Sequence, residues 1–160
     1  MALQGTEVRS QMAPTGPSEP PRADTPCQPA PRPVSTPSIL VVDDDPSVLS
    51  LIDRVLRRAG AEVTALAGGR AALRAIADGS CRPTLLLTDI EMPEMSGIEL
   101  AARATALRPG IRVVMMTGDP ASADAARDRP ELVLRVLIKP ITTGELLEAT
   151  GLAPSAPRPR

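Results

Sequence analysis

The chain has 160 residues, no Phe, Tyr or Trp, and a formal net charge of −1, which leaves room for one ordinary domain with a core of Leu, Ile, Val, Met and Ala. With no aromatic ring to stack on bases and no basic patch, nucleic acid is not an expected partner. The first twenty residues lack the apolar centre of a secretory signal and the apolar runs are too short to cross a bilayer, so no membrane insertion and a cytoplasmic location are expected. Cys27 and Cys81 form neither a disulfide framework nor a zinc spacing.

In chain order, prolines recur through residues 1–37 without apolar periodicity, which predicts a disordered, polyproline-like arm. Residues 151–160 read as a similar tail. Between them, Ser38 to Thr150 gives 113 residues with thirteen basic and sixteen acidic groups, enough to bury a core. Ile39-Leu40-Val41-Val42 is a continuous apolar run, the pattern of a strand covered on both faces, and Asp43-Asp44-Asp45-Pro46 closes it. Asp45 before Pro46 predicts a helix N-cap. That helix places Val48, Ile52, Val55, Leu56 and Ala59 on one stripe and stops at Gly60. Glu62 to Leu66 predicts a second strand, followed by Gly68-Gly69 and a helix with Ala72, Leu73 and Ile76 inward, ended by Asp78-Gly79.

Thr84 to Thr88 predicts the third strand, which delivers Asp89 at its end. The next helix begins near Ser96, turns Ile98, Ala101 and Ala102 inward, and stops at Pro109-Gly110. Ile111 to Met116 predicts the fourth strand, with Thr117-Gly118 beyond it. Asp119-Pro120 starts an alanine-rich helix bounded by Pro130. The fifth strand is Val133-Leu134-Arg135-Val136-Leu137-Ile138, read as buried, and ends on Lys139-Pro140. Thr142-x-x-Glu145 offers a capping box for a short last helix carrying Leu146 and Leu147. Alternation of strands and helices predicts an α/β fold, a doubly wound five-stranded parallel sheet with right-handed crossovers.

Four strands then end on Asp43-Asp44, Asp89, Thr117 and Lys139, and in such sheets ligands bind beyond the carboxyl ends of the strands. With strand order 2-1-3-4-5 the first and third strands are neighbours about 4.8 Å apart, so three carboxylates crowd together and demand a cation. An all-oxygen site with few protein ligands suits Mg²⁺, with Asp43 and Asp44 as its holders. Lys139 is the single lysine in a chain whose other cations are arginines, and a compact ammonium suits contact with one phosphoryl oxygen. A carboxylate nucleophile at Asp89, a hard dication, the Thr117 hydroxyl and this ammonium together make a phosphoryl-transfer site. Singly, each residue has a plainer reading as a cap, a turn or a solvated surface group; their placement at four strand ends makes the chemical reading the stronger one.

Ser38 to Thr150 resembles the response-regulator receiver domain of two-component signalling, flavodoxin-like in fold, through four motifs. These are Ile39-Leu40-Val41-Val42-Asp43-Asp44-Asp45, Asp89-x-x-Met92-Pro93-x-Met95-Ser96-Gly97, Thr117-Gly118 and Lys139-Pro140. The resemblance implies that Asp89 is the phosphoacceptor, that Asp43 and Asp44 are the acidic pair, and that Glu91 gives its backbone carbonyl to Mg²⁺. It further implies that Thr117 is the switch hydroxyl and Lys139 the phosphoryl-binding lysine, commonly followed by a cis bond to proline. The implied donor is a sensor histidine kinase or a histidine phosphotransfer protein, and the implied output is contact with a downstream protein. Phosphorylation and dephosphorylation would be self-catalysed, without turnover of an external substrate. The position that rotates inward on activation is aromatic in many receivers and here falls on Val136, while Ile141 stands where phenylalanine is frequent. Two other readings remain open: a phosphorylation-independent interaction domain with this fold, and a phosphatase with an aspartyl nucleophile in an Asp-x-Asp pair, for which Asp43-Asp44-Asp45-Pro46 followed by Ser47 does not place the other elements at the expected sites.

Overall fold

A computed structural model describes residues 36–153 of the chain. The proline-rich arm predicted for residues 1–37 lies outside the described residues except at its last two positions. So does the predicted tail from residue 154 onward.

Ten elements alternate without interruption: β1 (Ser38–Val42), α1 (Pro46–Arg58), β2 (Glu62–Leu66), α2 (Gly69–Ala77), β3 (Leu85–Asp89), α3 (Gly97–Leu107), β4 (Arg112–Thr117), α4 (Pro120–Arg127), β5 (Arg135–Ile138) and α5 (Thr143–Thr150). All strand pairs are parallel and the sheet order is β2-β1-β3-β4-β5. Side chains alternate across the pleat, so successive residues of each strand serve opposite faces. Ile39, Val41, Leu85, Leu87, Val114 and Met116 pack with Leu49, Ile52 and Leu56 of α1 and Leu146 and Ala149 of α5. Leu40, Val42, Leu86, Val113 and Met115 pack on the other face with α2, α3 and α4. The runs are continuously apolar because both faces of the sheet are covered.

The helix ends follow local chemistry. The Asp45 carboxylate accepts from the Ser47 amide at 2.7 Å, and Ser96 Oγ accepts from Glu99 N–H at 3.2 Å. Thr142 and Glu145 form the reciprocal capping box, each side chain accepting from the other's backbone. Hydrogen bonding to Thr142, through its hydroxyl and then its amide, holds the Glu145 carboxyl below its ordinary range.

The expected α1 stripe packs on the core, with Ile52 and Leu56 buried and Val48 and Val55 half-buried against the same cluster, and Leu49 joins it. Three expectations require correction. In α3, Ala102 is exposed and Ile98 half-buried, while Leu100, Ala101 and Ala104 face the sheet. β5 is not a buried strand: it pairs on one side only, and Leu134 and Ile138 stand exposed at 59% and 39%. The start of the predicted tail also belongs to the fold. Gly151, in the left-handed region at φ 76°, and Leu152 close α5 by bonds to Glu148 O (3.1 Å) and Leu147 O (2.8 Å). That pattern requires a residue without a Cβ penalty at the turn, and Leu152 packs back on the core.

Candidate functional site

The strand register brings the polar termini together. Val42 pairs with Thr88 and Asp89 with Met116, so Asp43 and Asp89 emerge side by side, with Thr117 next along the edge. Thr117 pairs with Ile138, and Lys139 N–H donates to Thr117 O at 2.8 Å. From there the Lys139 side chain reaches back across β4. Its Nζ donates to Asp89 Oδ1 at 2.6 Å and to Asp43 Oδ2 at 3.1 Å. The peptide bond between Lys139 and Pro140 is cis.

Both carboxylates are buried, Asp43 at 1% and Asp89 at 4% exposure, and a buried charge persists only when paired. Burial pushes the Asp89 carboxyl above its ordinary range, and repulsion from Asp43 and Glu91 adds to this, together overcoming the Lys139 hydrogen bond and charge. Burial also works against the Lys139 ammonium, but hydrogen bonds and attraction from Asp89 and Asp43 prevail and raise its pKa.

Thr117 is fully buried, and its hydroxyl does not reach the Asp89–Lys139 pair. Its Oγ1 accepts from Asp119 N–H, and its proton faces both carboxylate oxygens of Glu91 at 2.9 Å, with the Asp119 carbonyl a longer alternative at 3.2 Å. Asp119 in turn caps α4, accepting from Ser122 Oγ (2.9 Å), Ser122 N–H (3.0 Å) and Ala121 N–H (3.3 Å), and these bonds lower its pKa. Gly118 has open space where a Cβ would stand, so packing does not demand glycine there. Val136 is half-buried, pairs with Met115 and packs on the α2, α3 and α4 side of the sheet.

The expected crowding of three carboxylates becomes two. Asp43 turns inward, its Oδ1 accepting from Asp45 N–H at 2.9 Å, while Asp44 stays exposed at the rim. Consecutive residues leaving a strand face opposite ways, which separates the adjacent pair. Among the described residues no three His, Cys, Asp or Glu side chains form a ready metal cluster. Two hard carboxylates beside a loop of backbone carbonyls are still the donor chemistry of Mg²⁺, which takes one or two carboxylates and keeps several waters. Asp43 and Asp89 therefore fit that ion.

The sequence reading used Gly97 only as part of a motif, yet it sets the geometry of the site. A Cβ there would stand 2.0 Å from the Asp89 carbonyl oxygen and 3.0 Å from Ile90 Cα. The start of α3 thus lies directly against the strand end, with Gly97 N–H donating to Ile90 O at 2.9 Å. The Glu91 side-chain contact was also missed, because no spacing rule relates a loop carboxylate to a hydroxyl 26 residues on.

Comparison with known proteins agrees with this geometry. The response regulator receiver domain, as a family, matches residues 39–151. The response regulator receiver protein CpdR of Brucella abortus is 38% identical over 114 residues, covering 68% of this chain and 89% of that protein. The DNA-binding transcriptional regulator NtrC of Bradyrhizobium is 33% identical over 77% of this chain, but the match spans only 25% of NtrC. Among solved structures, a CheY-like receiver domain from Methanospirillum hungatei superposes with a TM-score of 0.64 at 32% identity, covering 71% of this chain and 90% of that one. No helix among the described residues is long and apolar enough to cross a membrane.

Proposed function

This chain belongs to the response-regulator receiver domain family of two-component signalling, and on that premise we propose that Asp89 accepts a phosphoryl group from a phosphohistidine on a sensor kinase or phosphotransfer protein. The observation that carries the reading is the Lys139 ammonium bridging Asp89 and Asp43 across three strands. Lys139 engages Asp89 Oδ1 and leaves the other carboxylate oxygen to attack phosphorus. An O–P bond forms as the P–N bond to the donor imidazole breaks, with the imidazole leaving on the electron pair of that bond. Mg²⁺, for which Asp43, Asp44, Asp89 and the Glu91 carbonyl would be the holders, would supply positive charge to the phosphoryl oxygens. Lys139 adds its own charge at a fixed point, and burial of both carboxylates makes that charge count for more than it would in water.

An apolar cleft of about 320 Å³ opens beside Lys139, lined by Val48, Leu51, Val55, Ile141 and Leu146 among others. Lys139, whose ammonium reaches Asp89, is part of its lining, and the cleft suits an apolar helix face of the donor protein. The phosphorylated form then acts through a downstream protein. Incubation with Mg²⁺ and acetyl phosphate tests the proposal: intact mass should rise by one phosphoryl group in the native chain and stay unchanged in Asp89→Asn.

The second reading, an interaction domain indifferent to phosphorylation, draws on the aliphatic Val136 at the output position. It gains the upper hand if neither acetyl phosphate nor a phosphorylated histidine donor labels Asp89.

A further inference from the structure

The switch hydroxyl has one proton to give, and the Glu91 carboxylate at 2.9 Å is its nearer, charged acceptor, ahead of the Asp119 carbonyl at 3.2 Å. The carboxylate sits with both oxygens at 2.9 Å from Thr117 Oγ1, and the same oxygen accepts from Asp119 N–H at 2.9 Å. A hydroxyl bound in this way is committed on both its donor and its acceptor side. The Glu91 backbone is anchored as well. Ile90 N–H donates to Met116 O at 2.9 Å, and Gly97 N–H closes the loop on Ile90 O. The loop therefore presents the carboxylate to Thr117 from a fixed stem, although the side chain itself is solvent-exposed.

We propose that Glu91 is a positioning residue that holds the Thr117 hydroxyl away from Asp89, so that a phosphoryl group on Asp89 must compete with the Glu91 carboxylate for that single proton. This deepens the phosphoacceptor reading and rests on it. Both competitors are anionic acceptors, and a hydroxyl bonds to either more strongly than to a neutral group. Phosphorylation shifts the balance twice over: it offers Thr117 new acceptor oxygens, and its added negative charge repels Glu91. When Thr117 turns toward Asp89 it also releases Asp119 N–H, at the residue whose side chain caps α4. The hydroxyl thus connects the reacting group to the start of α4 without requiring a large ring on β5.

The test has two arms. In the unphosphorylated chain, NMR couplings report the Thr117 χ1 populations and the Asp119 amide reports its hydrogen bond. Glu91→Ala should populate a second Thr117 rotamer and move the Asp119 amide signal, whereas Glu91→Gln, which keeps an acceptor oxygen, should retain most of the original rotamer. An unchanged Thr117 rotamer in Glu91→Ala overturns the proposal without reference to phosphoryl chemistry. In the second arm, calorimetry measures binding of beryllofluoride with Mg²⁺, a mimic of the phosphoryl group. Glu91→Ala should tighten it about fivefold, the worth of one released hydrogen bond, and Thr117→Val should erase that gain. An equal gain in the Thr117→Val background reduces Glu91 to a simple charge effect and overturns the competition. A native chain that ignores beryllofluoride overturns the phosphoacceptor reading and the competition with it, and the first arm then reports on the hydrogen bond alone.

Discussion

β3 and β5 both deliver a reacting side chain to the same edge, but on different kinds of support. All five residues of β3 are buried, with Leu85, Leu86 and Leu87 at 0% exposure and neighbours on both sides. β5 has four residues, one neighbouring strand and a single buried side chain, Leu137. The adjoining α4 buries only Ala123 and Ala126. Asp89 is therefore held by atoms that cannot shift without opening cavities in a close-packed interior. β5 and α4 bury fewer and smaller side chains, and regions of low local stability are those that move.

The sharpest test of this contrast is Leu87→Ala, which empties a site in the middle of the sheet and should cost about 3–4 kcal/mol. Unfolding is best followed by far-UV circular dichroism, because the chain has no aromatic fluorophore. Next comes Gly97→Ala. Its methyl group would collide with the Asp89 carbonyl backbone, so the loop must move at a cost of about 2–3 kcal/mol, and phosphorylation by acetyl phosphate should slow as well. Thr142→Ala removes one side of the α5 capping box and should cost about 1 kcal/mol, with the loss seen in urea titration. Leu134→Ala, the counterpart on the exposed edge, should change stability by less than about 0.5 kcal/mol. A cost at Leu134, the residue just before β5, that matches the cost at Leu87 would abolish the distinction between the buried centre of the sheet and its exposed edge.

The last prediction concerns sign. The Asp89 carboxyl is raised in the fold, so its protonated form favours folding: that contribution is full below its ordinary value of 3.8 and is lost as pH rises through the raised value. Asp89→Asn should therefore stabilise the metal-free protein at neutral pH, with the gain shrinking as pH falls below the ordinary carboxylate range. Chemical denaturation in EDTA at several pH values measures this, and a gain that grows toward acid would reverse the assignment. Glu145 has the opposite sense. Its lowered carboxyl contributes above 4.5 and loses that contribution as pH falls through the folded value.

Much of the fold was legible because each local signal was strong. Continuous apolar runs marked β1, β3 and β4, Asp45-Pro46 and Asp119-Pro120 marked helix starts, and Thr142-x-x-Glu145 marked the capping box. Asp43, Asp89 and Lys139 could be placed together because strand ends and a parallel order leave one edge for all of them. Burial was read less well, since Val133 to Ile138 has the composition of an interior strand and only the sheet order reveals an edge. The difference in burial between Asp43 and Asp44 was hidden for a related reason: adjacent carboxylates look equivalent in a sequence, while the pleat sends one inward and one to the rim. The Glu91–Thr117 bond depends on the path of a loop, which no periodicity encodes.

The sheet divides the interior into two sets of side chains that share strands but no members, one beneath α1 and α5 and the other beneath α2, α3 and α4. Val136 belongs to the second set and its neighbour Leu137 to the first. Each face of the sheet is accordingly packed by its own set of side chains, so a substitution in one set alters direct side-chain packing on that face alone. A lineage carrying this chain could remodel the layer that lines the cleft beside Lys139 residue by residue and leave the side-chain packing of the opposite layer in place.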